Sequence, residues 1–203
     1  MPSPFRFLVV SLVGAAVLAS LAGRARADEN LLRGPHPFRK DNQLSAHVLI
    51  ASGGGDTMSG TKLAFDYNYK LTGGWIPLWL DFGVNVQHAA CNTGPGTNNL
   101  CGADTGDVFE TLGGARWTFA TPIPLVPYLG AQGGLVFAFP NGASAAAGLV
   151  VRAVGGATYF LFDWFGLGGQ VGYSLGSLGY DSTFKGSHTY ALLDFGGGIV
   201  LQF

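Results

Sequence analysis

From Leu44 to Phe203 the chain repeats one pattern: short segments in which apolar side chains alternate with polar or small ones, separated by runs of turn-forming residues. A period of two puts alternate residues on opposite faces of a β-strand, so this pattern commits the chain to strands. The clearest segment is 63–71. Leu63, Phe65, Tyr67, Tyr69 and Leu71 share one face there, and Ala64, Asp66, Asn68 and Lys70 share the other. Segment 77–87 sets Leu78, Leu80, Phe82, Val84 and Val86 against Trp79, Asp81, Gly83, Asn85 and Gln87. The last segment runs from His188 to the C-terminus and alternates throughout. Weaker alternation over 44–51, 108–119, 126–137, 147–159 and 166–175 brings the predicted strands to eight. The 33 glycines agree, because each weakens a helix by ~1 kcal/mol.

The connections alternate in length. Residues 72–76, 120–125 and 160–165 are short; 52–62, 88–107, 138–146 and 176–187 are longer and rich in Gly, Asn, Ser and Thr. Short turns at one end and long loops at the other describe an up-and-down antiparallel barrel, with both termini at the short-turn end. Aromatic residues gather at that end, among them Trp75, Trp117, Phe119, Tyr159, Trp164 and Phe203.

Alternation alone leaves open which face points outward. A soluble, lipocalin-like barrel would turn its apolar face inward. Three features favour the opposite sense and a membrane. Charged residues make up only 11% of the chain, and over eight segments they avoid the apolar parity. The aromatics cluster at segment ends, as in an interfacial girdle. The segments have the ~9–11 residues that a tilted strand needs to cross the hydrocarbon layer. A closed barrel also leaves no backbone group unpaired in lipid. The expected fold is therefore an all-β, eight-stranded antiparallel up-and-down transmembrane β-barrel. With 11 Lys+Arg against 12 Asp+Glu, no basic patch for nucleic acid is expected.

In these features the chain resembles the small eight-stranded outer-membrane barrels of Gram-negative bacteria, the class of the OmpA membrane domain, OmpX and the opacity-type barrels. The resemblance covers 43–203. Its most specific part is the C-terminal run from Gly198 to Phe203, with Leu201 and Phe203 on one face. This run looks like the terminal signal read by the barrel-assembly machinery. Gly196 departs from that pattern, where a polar residue is usual. The resemblance implies residence in the outer membrane, contact with its lipid and lipopolysaccharide, and a monomer.

Residues 1–27 read as a cleaved secretory signal: Arg6, then an apolar stretch from Phe7 to Ala22, then Ala25-Arg26-Ala27 as a small-x-small cleavage site. Residues 28–42 read as a periplasmic lead-in, and 43–203 as the barrel. Cys91 and Cys101 lie in a Gly/Pro/Asn/Thr-rich stretch, where an exported protein would form a disulfide; free thiols are the alternative. No cofactor or metal is expected.

The polar parity carries Asp66, Lys70, Asp81, Glu110, Arg116, Arg152 and Asp194. In an eight-stranded barrel these would meet in the lumen, which side chains can just fill. They form either a satisfied polar plug or the lining of a narrow path for water or small solutes. Inward glycines such as Gly83, Gly114, Gly156, Gly168 and Gly172 would leave room for water; Trp79, Tyr128 and Tyr190 would fill it. The first reading gives a structural, surface-display or interaction protein, the second a channel or carrier. Catalysis is not expected. Ser187 and His188 are neighbours that point to opposite faces, and Ser45 and His47 share a face with no acid assigned beside them.

Overall fold

A computed structural model describes residues 40–203 except 56, 58, 75, 91–104, 141–144 and 181–186. The chain divides into two units, Met1–Leu32 and Arg33–Phe203, and all the described residues lie in the second. The signal at 1–27, most of the lead-in at 28–42, and the pair Cys91 and Cys101 fall outside the described residues.

The second unit is a closed barrel of eight antiparallel strands in sequence order. They are β1 (Asn42–Gly55), β2 (Ser59–Lys70), β3 (Leu78–Ala90), β4 (Thr105–Thr118), β5 (Leu125–Pro140), β6 (Ala146–Phe162), β7 (Phe165–Tyr180) and β8 (Ser187–Gln202). Each pairs with its sequence neighbours, and β1 closes on β8 in register from Gln43↔Gln202 to Gly55↔Tyr190. Asn42 and Phe203 exchange two backbone hydrogen bonds, of 3.2 and 3.0 Å, so the last residue helps to seal the ring.

The short connections fall where the sequence puts them. In the β2–β3 turn Gly74 takes φ 99°, a conformation that favours glycine. The β6–β7 turn is Asp163-Trp164, with Trp164 stacked on Phe162 at 6.0 Å between ring centroids. At the other end the strands are longer than the sequence predicts. β1 continues through Ser52 to Gly55, β2 begins at Ser59, and β7 continues through Gly176 to Tyr180. These stretches read as loop because glycine and small polar residues have low strand propensity. Hydrogen-bonding neighbours on both sides override that preference.

The faces follow the parity of the sequence. Val48, Ile50, Phe65, Phe82, Leu129, Leu149, Val151, Leu167, Val171 and Phe195 are exposed on the outer wall. Ser45, Asp66, Asn68, Asp81, Glu110, Arg116, Arg152 and Asp194 are buried in the lumen. This is the reverse of a soluble barrel. Such an exterior is stable only against hydrocarbon, with every strand hydrogen bond closed within the ring.

The alternation changes character toward the long-loop ends. The outward residues there are Ser52, Thr61, His88, Asp107, Ser177 and Thr189, exposed or half-buried. The inward ones become apolar from β4 round to β1: Val108, Leu112, Val136, Ala138, Val150, Leu178, Leu192 and Ala51 pack with Tyr190. The outer wall turns polar while the wall inside it turns apolar.

Candidate functional site: the lumen

Seven inward side chains from six strands form one ionic belt across the barrel. Lys62 of β2 places Nζ 2.7 Å from Glu110 Oε2 and 3.1 Å from Asp194 Oδ2. Arg152 of β6 donates to both oxygens of Asp194, Nη2 to Oδ1 at 2.6 Å and Nη1 to Oδ2, and Nη1 also donates to Ser174 Oγ at 3.2 Å. Asn85 donates to Glu110 Oε2 at 2.6 Å, and Tyr190 to Oε1 at 2.7 Å. All seven are buried, so each contact matters: a charge left alone there would carry a desolvation penalty of several kcal/mol.

A second group lies nearer the short turns. Arg116 donates from Nε and Nη2 to Asp81 Oδ2, at 3.2 and 3.0 Å, and its guanidinium sits 4.4 Å from the centre of the Tyr128 ring. Tyr128 donates to Gln170 Oε1 at 3.3 Å, and the Trp79 indole to Thr118 Oγ1 at 3.0 Å. Trp79 is 1% exposed, so it fills the lumen at this level.

The structure brings Asp81 to Arg116 and joins Glu110, Arg152 and Asp194 in the belt. Lys70 stands apart. Its ammonium lies at the barrel mouth, 2.6 Å from Asp41 Oδ1 and 3.2 Å from the Lys40 carbonyl. The cation that completes the belt is Lys62, which falls in the connection 52–62 expected from the sequence but lies inside β2, which begins at Ser59. Asp66 also differs from expectation: it accepts from Ser45 Oγ at 3.5 Å and stands 4.0 Å from His47 Nδ1. An acid does therefore lie beside Ser45 and His47. Ser45 and Asp66 are cross-strand partners of β1 and β2, a register that neither strand reveals alone. Neither His47 nitrogen has a hydrogen-bond partner, so the imidazole is not placed to take the Ser45 proton. Ser187 and His188 open β8, and their side chains lie outside the described set.

At Gly83, Gly156 and Gly172 the inward glycine seats a neighbouring side chain rather than leaving open space, while at Gly114 the backbone of Ala131 takes the room. A Cβ at Gly172 would collide with the Arg152 guanidinium and come within 2.8 Å of Asp194 Oδ1. One at Gly156 would come within 2.6 Å of the Tyr128 hydroxyl, and one at Gly83 within 2.8 Å of Asp66 Oδ1. Each of these glycines thus accepts a bulky side chain from the neighbouring strand, Asp66 over Gly83, Tyr128 over Gly156 and Arg152 over Gly172, and the lumen is packed at these levels.

No family model matches the chain, and no curated protein matches it. Solved structures do. Neisserial surface protein A is 18% identical over 80% of this chain and 96% of that one, with a TM-score of 0.56. OprG of Pseudomonas aeruginosa is 11% identical over 81% and 96%, with a TM-score of 0.48. Ail of Yersinia pestis is 12% identical over 80% and 99%, with a TM-score of 0.46. The fold is that of the small eight-stranded outer-membrane barrels.

Proposed function

We propose that this chain is an integral outer-membrane protein of a Gram-negative bacterium, with a closed lumen and a structural or surface-interaction role rather than an enzymatic one. The ionic belt carries this reading. Lys62, Glu110, Asp194 and Arg152 bridge the lumen from four strands, and the apolar cluster of β4 to β1 lies toward the long-loop ends. An ion crossing the barrel would have to break paired, buried charges and then pass an apolar layer. The apolar exterior supports insertion in lipid, and the polar collar near the long loops suits the headgroup and lipopolysaccharide layer. Residues 1–27 would be removed on export, 43–203 would insert as a monomer, and Gly198, Leu201 and Phe203 would mark β8 for the assembly machinery. Loops on such a rigid frame are where recognition would reside, braced between β3 and β4 by a Cys91–Cys101 disulfide.

Conductance tests the closed lumen. Purified barrel in a planar bilayer should give no discrete current steps in molar potassium chloride. Reproducible steps from the folded protein would overturn the reading in favour of a narrow channel.

A further inference from the structure

The short-turn end of the barrel carries an apolar surface that the strands do not explain. Ile76 in the β2–β3 turn is 56% exposed and Ile123 in the β4–β5 turn is 55% exposed, with Leu71, Pro122 and Pro124 exposed beside them. Neither 71–77 nor 119–124 contains an Asp, Glu, Lys, Arg or His. Apolar tips grouped at one end of a molecule mark a surface that meets something other than water. These tips lie beyond the strands, so the outward parity of β1 to β8 does not account for them.

The height of the wall above them says what covers them. His88 and Asp107 are cross-strand partners joined Nδ1 to Oδ1 at 2.9 Å, and this polar pair ends the outward apolar run on β3 and β4. Below it the outward positions run from Val86 to Leu78 on β3 and from Phe109 to Trp117 on β4, eight residue steps each. At ~3.3 Å per step and a tilt of ~40°, such a run is about 20 Å tall, against an apolar band of ~25 Å on barrels of this kind. Two further residues supply the missing ~5 Å, and they bring the turns at Ile76 and Ile123 into the band. β7 gives the contrast. Its outward run from Phe165 to Leu175 has ten steps, which reach about 25 Å unaided, and the turn before it carries the exposed Asp163. Turn chemistry therefore changes with the depth at which the strands leave the turn.

Several backbone groups of these two turns are also closed without water. In the β4–β5 turn Pro122 and Pro124 have no N–H to satisfy. The Thr121 hydroxyl is bonded to the carbonyls of Ile123, at 2.8 Å, and of Leu125, and the Pro124 carbonyl accepts from the Phe160 amide at 2.8 Å. In the β2–β3 turn the Leu78 carbonyl accepts from the Leu71 amide at 2.8 Å, and the Leu78 amide donates to Thr72 Oγ1 at 3.0 Å. We propose that Ile76 and Ile123 are membrane anchors: the β2–β3 and β4–β5 turns enter the inner leaflet of the outer membrane at the boundary between acyl chains and headgroups, and the partner of this surface is phospholipid. The proposal rests on the membrane reading of the barrel. Lipid suits the surface better than a periplasmic protein, because the tips offer apolar area at the height where the band falls short and no charge for a protein to recognise.

Isoleucine methyl spectra of the wild-type barrel in phospholipid nanodiscs test it, because the chain has four isoleucines: Ile50, Ile76, Ile123 and Ile199. Ile199 lies exposed on the β8 wall and serves as the lipid control. With one barrel per disc, a nitroxide carried on the acyl chains should broaden the Ile76 and Ile123 signals as it broadens that of Ile199. A water-soluble gadolinium chelate should leave all three sharp. Loss of the Ile76 or the Ile123 signal to the chelate, with Ile199 still protected, would overturn the proposal and leave the tips to a periplasmic protein. Loss of Ile199 as well would sink the membrane reading and the proposal with it. Protection that arises only in discs holding two barrels would assign the surface to a second copy of the chain and overturn the proposal too.

Discussion

At the scale of single residues, the lumen works by matching size and charge across walls that are distant in sequence. Arg152 can reach Asp194 and Ser174 because Gly172 leaves its guanidinium room. Gly172→Ala would push a methyl group into that guanidinium. The barrel would have to shift Arg152 off its carboxylate or open the wall, and overpacking of this kind costs ~1–3 kcal/mol. Urea titration of the variant in lipid vesicles should show the loss; unchanged stability would mean that Arg152 does not rest on that wall. The same scale shows what the sequence could reveal. Asp81, Arg116, Arg152 and Asp194 are legible as lumen residues from parity alone, because a strand has only two faces. Which acid meets which cation is not legible. Lys62 reaches Asp194 over 132 positions, and that meeting depends on the closure of β1 on β8. Lys70 shares the lumen parity but sits at the end of β2, where it meets Asp41. Parity tells the face of a side chain and says nothing of its height.

At the scale of the strand, height decides which solvent a residue meets. Val84 and Thr61 both point outward, Val84 from the middle of β3 and Thr61 from the long-loop end of β2. An arginine near the bilayer midplane costs ~2–4 kcal/mol, falling to ~0–1 kcal/mol near the interface. Val84→Arg should therefore destabilise the barrel by an amount in the upper range, and Thr61→Arg by almost nothing, in parallel urea titrations. Equal costs would show that the lipid reaches as high as Thr61. The strand ends were the least legible part of the fold for a related reason. Gly53 to Gly55 and Gly176 to Gly179 look like loop because composition reports on single residues, while a barrel supplies each strand with two partners. Phe203 hydrogen-bonds Asn42 at the seam of the ring and ends the run that resembles an assembly signal. Deleting Phe203 should lower the amount of barrel in the outer membrane of growing cells; undiminished levels would refute the signal.

At the scale of the whole molecule, the seam makes folding collective. β1 is the first strand and β8 the last, yet they share a ladder of thirteen paired positions from Gln43 to Gly55. Until both are placed, each has one edge of unpaired N–H and C=O groups, and in hydrocarbon every such group costs several kcal/mol. An intermediate with an open edge is therefore strongly disfavoured inside the membrane. The ionic belt adds to this, since Lys62 of β2 and Arg152 of β6 both need Asp194 of β8. Detergent cannot supply those bonds in a dry wall, so a closed ring should resist dodecyl sulfate until heat opens it. The outer-membrane fraction, loaded without boiling, should give a compact band that migrates differently from the boiled chain. The change should occur in one step, with no band between the two, because a ring with one seam open has lost the pairing that holds the rest. A ladder of intermediate bands would mean that the strands open one by one and that the seam is not what holds the barrel. Recovery of the protein from the soluble periplasm, with no shift on heating, would contradict the outward-facing apolar wall itself.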